Sequence, residues 1–212
     1  AWLQAQIVVG RAIHQHVLRR NNALALAGMT FASLAVARRV AEEPGALPAL
    51  GAILAAGGDT ASPSLQVVAL NSVTALMEIT RAGPEHARRV AEEPRALPTL
   101  VATVAAGAAS AIDSVQEAAD NSVVVLLRMV SAIPELTRRV AEEPGALRSL
   151  VAGVAAGTAA AAPKLQEVAF SSMVLLAVIL ETRPEFALIV AEEPRRRAWP
   201  LWQLAALFSS TL

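Results

Sequence analysis

The sequence contains no cysteine and no tyrosine, and aromatic residues make up only 3% of its 212 residues. Without cysteine, disulfide bonds, thiolate nucleophiles and thiolate metal ligands are excluded, and nothing indicates secretion. Few aromatic side chains also means few of the large anchors that dominate many protein interfaces. We therefore expect a binding surface of this chain to make many modest contacts rather than to enclose a ligand in a deep pocket.

An excess of either charge is also missing. The 18 basic and 18 acidic residues cancel, which argues against a strong overall field for binding nucleic acid. No apolar run reaches the length of about 18 residues that a membrane span needs without a charge, glycine or proline. The longest candidate, Val168 to Leu180, is too short. We expect no nucleic-acid partner and no membrane span.

Groups that support catalysis or metal binding are scarce. His14 and His16 are two residues apart, so they point to different sides of a helix, whereas helical metal ligands need a spacing of three or four; the third histidine is His86. Adjacent acids such as Glu42 and Glu43 also diverge on a helix, so paired-carboxylate catalysis is not indicated. The sequence predicts no enzyme activity, no cofactor and no metal site.

What the sequence does contain is a repeat of 50 residues. The heptad RRVAEEP occurs at 38–44, 88–94 and 138–144, and it returns as LIVAEEP at 188–194. Self-similarity at this period is typical of helical repeat proteins, in which each unit buries its apolar face against its neighbours. The repeat predicts one domain over residues 1–212, composed of a partial repeat 1–43, repeats 44–93, 94–143 and 144–193, and a C-terminal partial or capping helix 194–212.

The residues that break secondary structure predict three helices and no strand within each repeat. A short first helix starts at a proline, as at Pro84, and stops at the proline of the heptad, because that ring disfavours helical geometry in the residue before it. A second helix starts near Leu47-Pro48 and ends at a glycine, for which we expect left-handed cap geometry. These glycines are Gly57, Gly107 and Gly157.

A longer third helix is predicted from about Ser64 to Thr80. Its apolar and small residues keep the spacing of three and four that marks a buried stripe. The stripe consists of Leu65, Val68, Ala69, Ser72, Val73, Leu76 and Ile79.

This order of helices resembles armadillo repeats, with HEAT repeats as the nearest rival. The likeness is carried by GALPAL at 45–50, RALPTL at 95–100 and VQEAADNS at 115–122, and it covers nearly the whole chain. It implies an all-α fold, a right-handed α-solenoid of three-helix units, that acts as a non-catalytic protein-protein interaction scaffold for a protein or peptide partner. The alternative is a structural subunit or spacer of a large organellar or ciliary assembly.

In the armadillo family the third helices line a concave groove. The corresponding residues here, at helical spacing, are Asn71, Ala75 and Glu78 in one repeat and Asn121, Val125 and Arg128 in the next. Members that grip extended peptides have tryptophan five residues and asparagine nine residues after the glutamine. This chain has neither residue at those positions, so an importin-like grip on a nuclear signal is not expected. The two asparagines have two equal interpretations, contact with a ligand or a polar contact between repeats.

The arginine pairs of the heptad also have two interpretations. Stacked repeats would set the pairs about 10 Å apart, the spacing of packed helices, and so form an anion-binding stripe. However, Arg38 and Glu42 are four residues apart, as are Arg39 and Glu43, so each helix can neutralise itself. The favoured interpretation is a row of solvated ion pairs.

The fourth copy of the heptad has Leu188 and Ile189 in place of the arginines, which predicts a covered face. The favoured cover is the chain's own C-terminal segment, through Trp199, Trp202 or Phe208. The alternative is a terminal face, formed by Leu188, Ile189, Trp199 and Trp202, that binds another protein. The triplet Arg195 to Arg197 beside the tryptophans is weak evidence for a membrane surface or RNA.

Overall fold

The computed structural model describes residue 30 and residues 33–57, 62–159 and 162–196, with side chains as far as Glu192. Every regular element in these ranges is a helix, so the predicted all-α class is confirmed. The helices are α1 Leu34–Glu42, α2 Ala46–Ala56, α3 Pro63–Arg81, α4 Pro84–Glu92, α5 Ala96–Ala109, α6 Asp113–Ala132, α7 Leu136–Glu142, α8 Ala146–Ala159, α9 Pro163–Thr182, a 3-10 turn Pro184–Phe186 and α10 Ala187–Arg196. Most of the predicted partial repeat 1–43 and of the capping helix 194–212 lies outside the described residues.

We group these helices into units of three, α1 to α3, α4 to α6 and α7 to α9, with α10 as the first helix of a fourth. Within each unit the second helix packs on the third. Between units, third helix packs on third helix and second helix on second helix. The helix pairs with extensive contact all belong to one unit or to adjacent units.

Three of the four first helices end where the sequence predicts. The glutamates that follow α1, α4 and α7 have ψ angles between 118° and 127°, the extended geometry that is favoured ahead of a proline. The prediction is wrong for α10, which continues through Pro194 to Arg196. The chain turns in the earlier copies to bury Leu47, Leu97 and Leu147, whereas the equivalent residue of the fourth copy is Arg197, which offers no apolar side chain to bury.

The starts of the first helices vary between copies. α4 begins at Pro84 as predicted, but α7 begins at Leu136, after a turn at Pro134. In the fourth copy the proline starts a 3-10 turn instead of an α-helix. Proline is compatible with all three arrangements, because its fixed φ suits any first helical turn.

The third helices follow the prediction closely, since α3 spans Pro63–Arg81 and its stripe faces the core. Leu65 is the one half-buried member of that stripe. The core runs continuously from unit to unit along the third and second helices. Its centre in each unit includes a second-helix leucine that is shielded from solvent: Leu50, Leu100 and Leu150.

The expected role of the second-helix glycines is wrong. Gly57 follows α2 with a φ of −90°, and Gly107 and Gly157 lie inside α5 and α8, so none of them has left-handed geometry. Glycine is required there by a close approach, because a β-carbon would collide with the alanine β-carbon of the third helix, at Ala69, Ala119 and Ala169 respectively. Left-handed φ angles of 84° and 85° occur instead at Gly45 and Gly145, which turn the chain after the heptad proline.

We expect Gly107→Ala to lower the free energy of unfolding by about 1–3 kcal/mol, because the added methyl group forces α5 away from α6. Gly51→Ala is a matched control in α2, since a β-carbon there meets no atom within 4 Å. That control should gain up to about 1 kcal/mol from helix propensity. Urea denaturation followed by circular dichroism measures both, and similar values for the two variants would contradict the close-approach explanation.

Candidate interaction surfaces

The predicted groove residues do not form an open groove. Ala75 and Val125 are 0% exposed and Glu78 is 2% exposed, because the third helices pack directly on one another along this line. A ligand could touch these side chains only if the helices separated. Asn71, Asn121 and Arg128 are partly exposed.

Two of these partly exposed residues are engaged with the preceding unit. The side-chain amide of Asn121 donates to Thr74 Oγ1 at 3.1 Å, and Arg128 Nη1 donates to the backbone carbonyl oxygen of Met77 at 2.6 Å. These hydrogen bonds join α6 to α3. They correspond to the second interpretation of the asparagines, a polar contact between repeats. Among the described residues, the amide nitrogen of Asn71 is buried without such a partner.

A cluster of charges surrounds the contact between α3 and α6. Glu78 Oε2 lies 2.5 Å from Arg81 Nη2, an ion pair without hydrogen-bond alignment. Burial lowers the pKa of Arg128, and the negative charge of Glu78 acts in the opposite direction. The buried carboxylate therefore stabilises two guanidinium groups that belong to different units.

A second polar contact joins α6 to α9. Ser171 Oγ lies 2.6 Å from Asp120 Oδ1, to which it donates, and Lys164 Nζ lies 3.8 Å from Glu117. Burial raises the pKa of the Asp120 carboxyl above its ordinary value of 3.8, although the serine hydroxyl partly offsets this effect. These two pairs of neighbouring third helices are thus joined by different polar residues, and only the donors Asn121 and Ser171 stand at equivalent positions.

The heptad arginines do not behave as one row of ion pairs. Arg138 pairs with Glu142 at 2.7 Å, which is the predicted spacing of four on an exposed helix face. Arg38 Nε instead donates to the carbonyl oxygen of Ala82, and Arg89 Nη1 donates to that of Ala41, at 3.3 and 3.2 Å. Both acceptors lie at helix ends, where carbonyl groups lack partners within their own helix. Arg89 therefore links the first helices of two adjacent units, whereas Arg38 links the first helix of its unit to the end of the third helix.

The two linking arginines point in opposite directions along the chain. Arg38 reaches Ala82 at the end of the third helix of its own unit, whereas Arg89 reaches Ala41 in the preceding unit. By the 50-residue repeat, Leu188 occupies the position of Arg38 and Ile189 that of Arg89. Ile189 does line a recess with Ala141 and Leu147 of the preceding unit, and it is 49% exposed. Leu188 is 76% exposed.

Sequence reasoning missed Phe170, which is 65% exposed on α9. Its equivalents in the earlier units are Leu70 and Asp120, both partly buried at the contact with the next third helix. Phe170 and Leu188 are the most exposed large apolar side chains among the described residues. Its equivalents form no repeated pattern, so no sequence signal singles out Phe170.

The other named candidates lie elsewhere. Trp199 and Trp202, with Phe208 and the side chains of Arg195 to Arg197, are outside the described residues, as are His14 and His16. His86 is buried, with Nδ1 2.9 Å from Glu85 Oε1. Over the described ranges, no group of three potential metal-binding side chains comes together.

A recess with a volume of about 750 Å³ lies between α2 and α5. Alanine residues of α5 and a few hydroxyl and amide groups line it, and no titratable side chain is among its described lining residues. This lining offers no acid or base that could activate a hydroxyl group.

No protein-family model matches the sequence, and neither a curated protein nor a solved structure matches the chain. In the described part of the chain, α9 is long and apolar enough to cross a membrane, with a mean hydropathy of 1.5 over its best window. Core helices of other proteins pass the same test. Here α9 packs against both α6 and α8.

We expect Asn121→Ala to lower the free energy of unfolding by about 0.5–1.5 kcal/mol, since it removes a partly buried hydrogen bond between units. Asn71→Ala is the matched control, because it removes a buried amide nitrogen that has no partner among the described residues. Its cost should be smaller or absent. Thermal and urea denaturation give both values, and an equal loss in the two variants would refute the role of the Asn121 contact.

Asp120 should make stability depend on pH. Because its pKa is raised in the folded state, the folded protein holds the proton more tightly, and the free energy of unfolding should fall as pH rises from 3.8 through the folded pKa. Asp120→Asn keeps an acceptor for Ser171 without burying a charge, so this fall should be reduced. The variant should also gain up to about 1 kcal/mol at pH 7. Urea titrations between pH 3.5 and 7 test this, and identical profiles would contradict it.

Proposed function

We propose that this chain is an armadillo-like right-handed α-solenoid that acts as a non-catalytic scaffold for protein-protein interaction. The 50-residue repeat, the three-helix units and the restriction of extensive contacts to adjacent units all support this proposal. In such an architecture each unit covers the apolar edge of the unit before it. The last edge then depends on another cover.

One observation carries the choice of binding surface. Phe170 is exposed at the position where Asp120 bonds the following third helix. Leu188 is exposed at the position where Arg38 bonds the end of the third helix of its own unit. The heptad places arginine at the position of Leu188 three times, so the exposed leucine is a specific departure from a polar pattern. We place the protein-binding surface at this end of the solenoid and not at the predicted groove of Asn71, Glu78, Asn121 and Arg128. Contacts between helices occupy or bury most of the groove side chains.

Affinity purification from the source organism with paired variants tests the function. Leu188→Arg restores the residue of the heptad at an exposed position and should remove a partner that the wild-type chain retains, with at least a tenfold lower recovery. Ile189→Arg is the matched control, because it restores the other arginine on the side that faces the preceding unit, where it can donate to the Ala141 carbonyl group. The control should retain the partner.

A partner recovered equally with both variants would refute the terminal surface. Loss of the partner with both variants would do the same, once circular dichroism shows that they are folded. A wild-type chain that retains no protein at all would contradict the scaffold function itself.

A further inference from the structure

The contacts between third helices define which residues face forward, toward the following unit. Asn121 bonds Thr74, Arg128 bonds the Met77 carbonyl group, and Lys164 and Ser171 approach Glu117 and Asp120. In these pairs the residue numbers increase together, so neighbouring third helices run parallel. By the repeat, these contacts place Glu167, Phe170, Val174 and Ala177 on the forward face of α9. Glu181 takes the position of Arg81, whose charge acts on Arg128 of the following third helix.

This forward face of α9 has an apolar centre between two acids. Phe170 is well exposed, and Val174 and Ala177 are partly exposed. Glu167 and Glu181 are exposed at either end. Glu167 already lies 3.0 Å from Lys164 of its own helix, but such an exposed pair is weak and leaves a carboxylate that can accept a second cation. The face therefore favours an apolar helix with positive charge near both ends.

The earlier interfaces show where those cations would lie. Lys164, near the start of α9, approaches the glutamate at the forward position equivalent to Glu167. Arg128, near the end of α6, lies beside Arg81 and Glu78, at the level equivalent to Glu181. In one covering helix the two positions would be about four helical turns apart.

We propose that the forward face of α9 docks an amphipathic α-helix of another protein, parallel to α9, with an apolar centre and a cation at each of these two positions. This inference rests on the proposed scaffold function and specifies the partner chemistry. The face continues an interface that already forms twice within the chain, between α3 and α6 and between α6 and α9. The partner helix would take the place of the next third helix.

The described third helices do not include such a helix. At the two cation positions α3 has Ser64 and Glu78, α6 has Ser114 and Arg128, and α9 has Lys164 and Val178, so no described third helix has both charges. Residues 198–212 contain no lysine or arginine and cannot neutralise two acids at opposite ends of the face. Charge complementarity therefore favours a helix from a different protein over a second copy or the C-terminal segment.

Binding of a labelled synthetic peptide to the full chain, measured by fluorescence anisotropy, tests the proposal. The probe has the sequence of residues 113–132 with Ser114→Lys and Asn121→Ala. It thus has both cations and the apolar side chains of a natural covering helix, without the amide that would lack an acceptor on α9. We expect saturable binding that weakens as salt is raised. Phe170→Asp should weaken binding at least tenfold, whereas Ile112→Asp, at an exposed apolar residue ahead of α6, should leave it unchanged.

A charge exchange gives the specific control. The double variant Glu167→Lys, Glu181→Lys should bind this probe at least fivefold more weakly, and it should prefer a peptide with Ser114→Glu and Arg128→Glu. Thermal denaturation must show that the variants are folded. Failure of the wild-type chain to bind the probe, as expected if its own residues 197–212 or a second copy cover the face, overturns the proposal. Binding that ignores both Phe170→Asp and the charge exchange also overturns it.

The two experiments fail in different ways. The peptide assay needs no natural partner, so an empty affinity purification contradicts the scaffold function without affecting the measured binding to α9. Recovery of a Leu188-dependent partner together with no peptide binding would overturn the α9 inference alone.

Discussion

The arrangement of the units depends on the close contact between the second and third helix, where a glycine faces an alanine. Gly57, Gly107 and Gly157 allow a backbone approach that any β-carbon would prevent. Because this contact recurs in each unit, it fixes the third helix against the second in the same way each time. The third helices can then pack on one another with small and β-branched residues such as Ala75 and Val125 fully buried between them.

Much of the fold follows from the sequence because the 50-residue repeat and the apolar stripe of the third helix are strong, local signals. The bounds of α3 and the ends of three first helices confirm them. The prediction for the second-helix glycines is wrong because a left-handed φ and a close approach both favour glycine, so the sequence looks the same in either case. Only the position of α3, α6 and α9 relative to the second helices separates the two reasons.

The candidate surface was less accessible to sequence reasoning. A family groove predicts that polar residues along the third helix await a ligand, but Asn121 and Arg128 bond to the preceding third helix and Glu78 is buried. Sequence spacing cannot distinguish these roles, since both place a polar residue on the same line of the helix. Leu188 could be predicted because it breaks a repeated motif. Phe170 could not, because its equivalents, a leucine and an aspartate, define no pattern to break.

The polar contacts between third helices differ from one interface to the next, so each third helix is suited to its own neighbour. Asn121 donates a hydrogen bond to the hydroxyl group of Thr74, whereas Ser171 donates one to the carboxylate of Asp120. At the next interface the equivalents of these acceptors are Val174 and Phe170, which accept no hydrogen bond. A third helix of the same kind placed there would leave its polar residue buried and unsatisfied, at a cost of about 1–3 kcal/mol. The forward face of α9 is therefore unsuited to a further copy of this repeat. Its apolar centre is better matched by a helix of different composition.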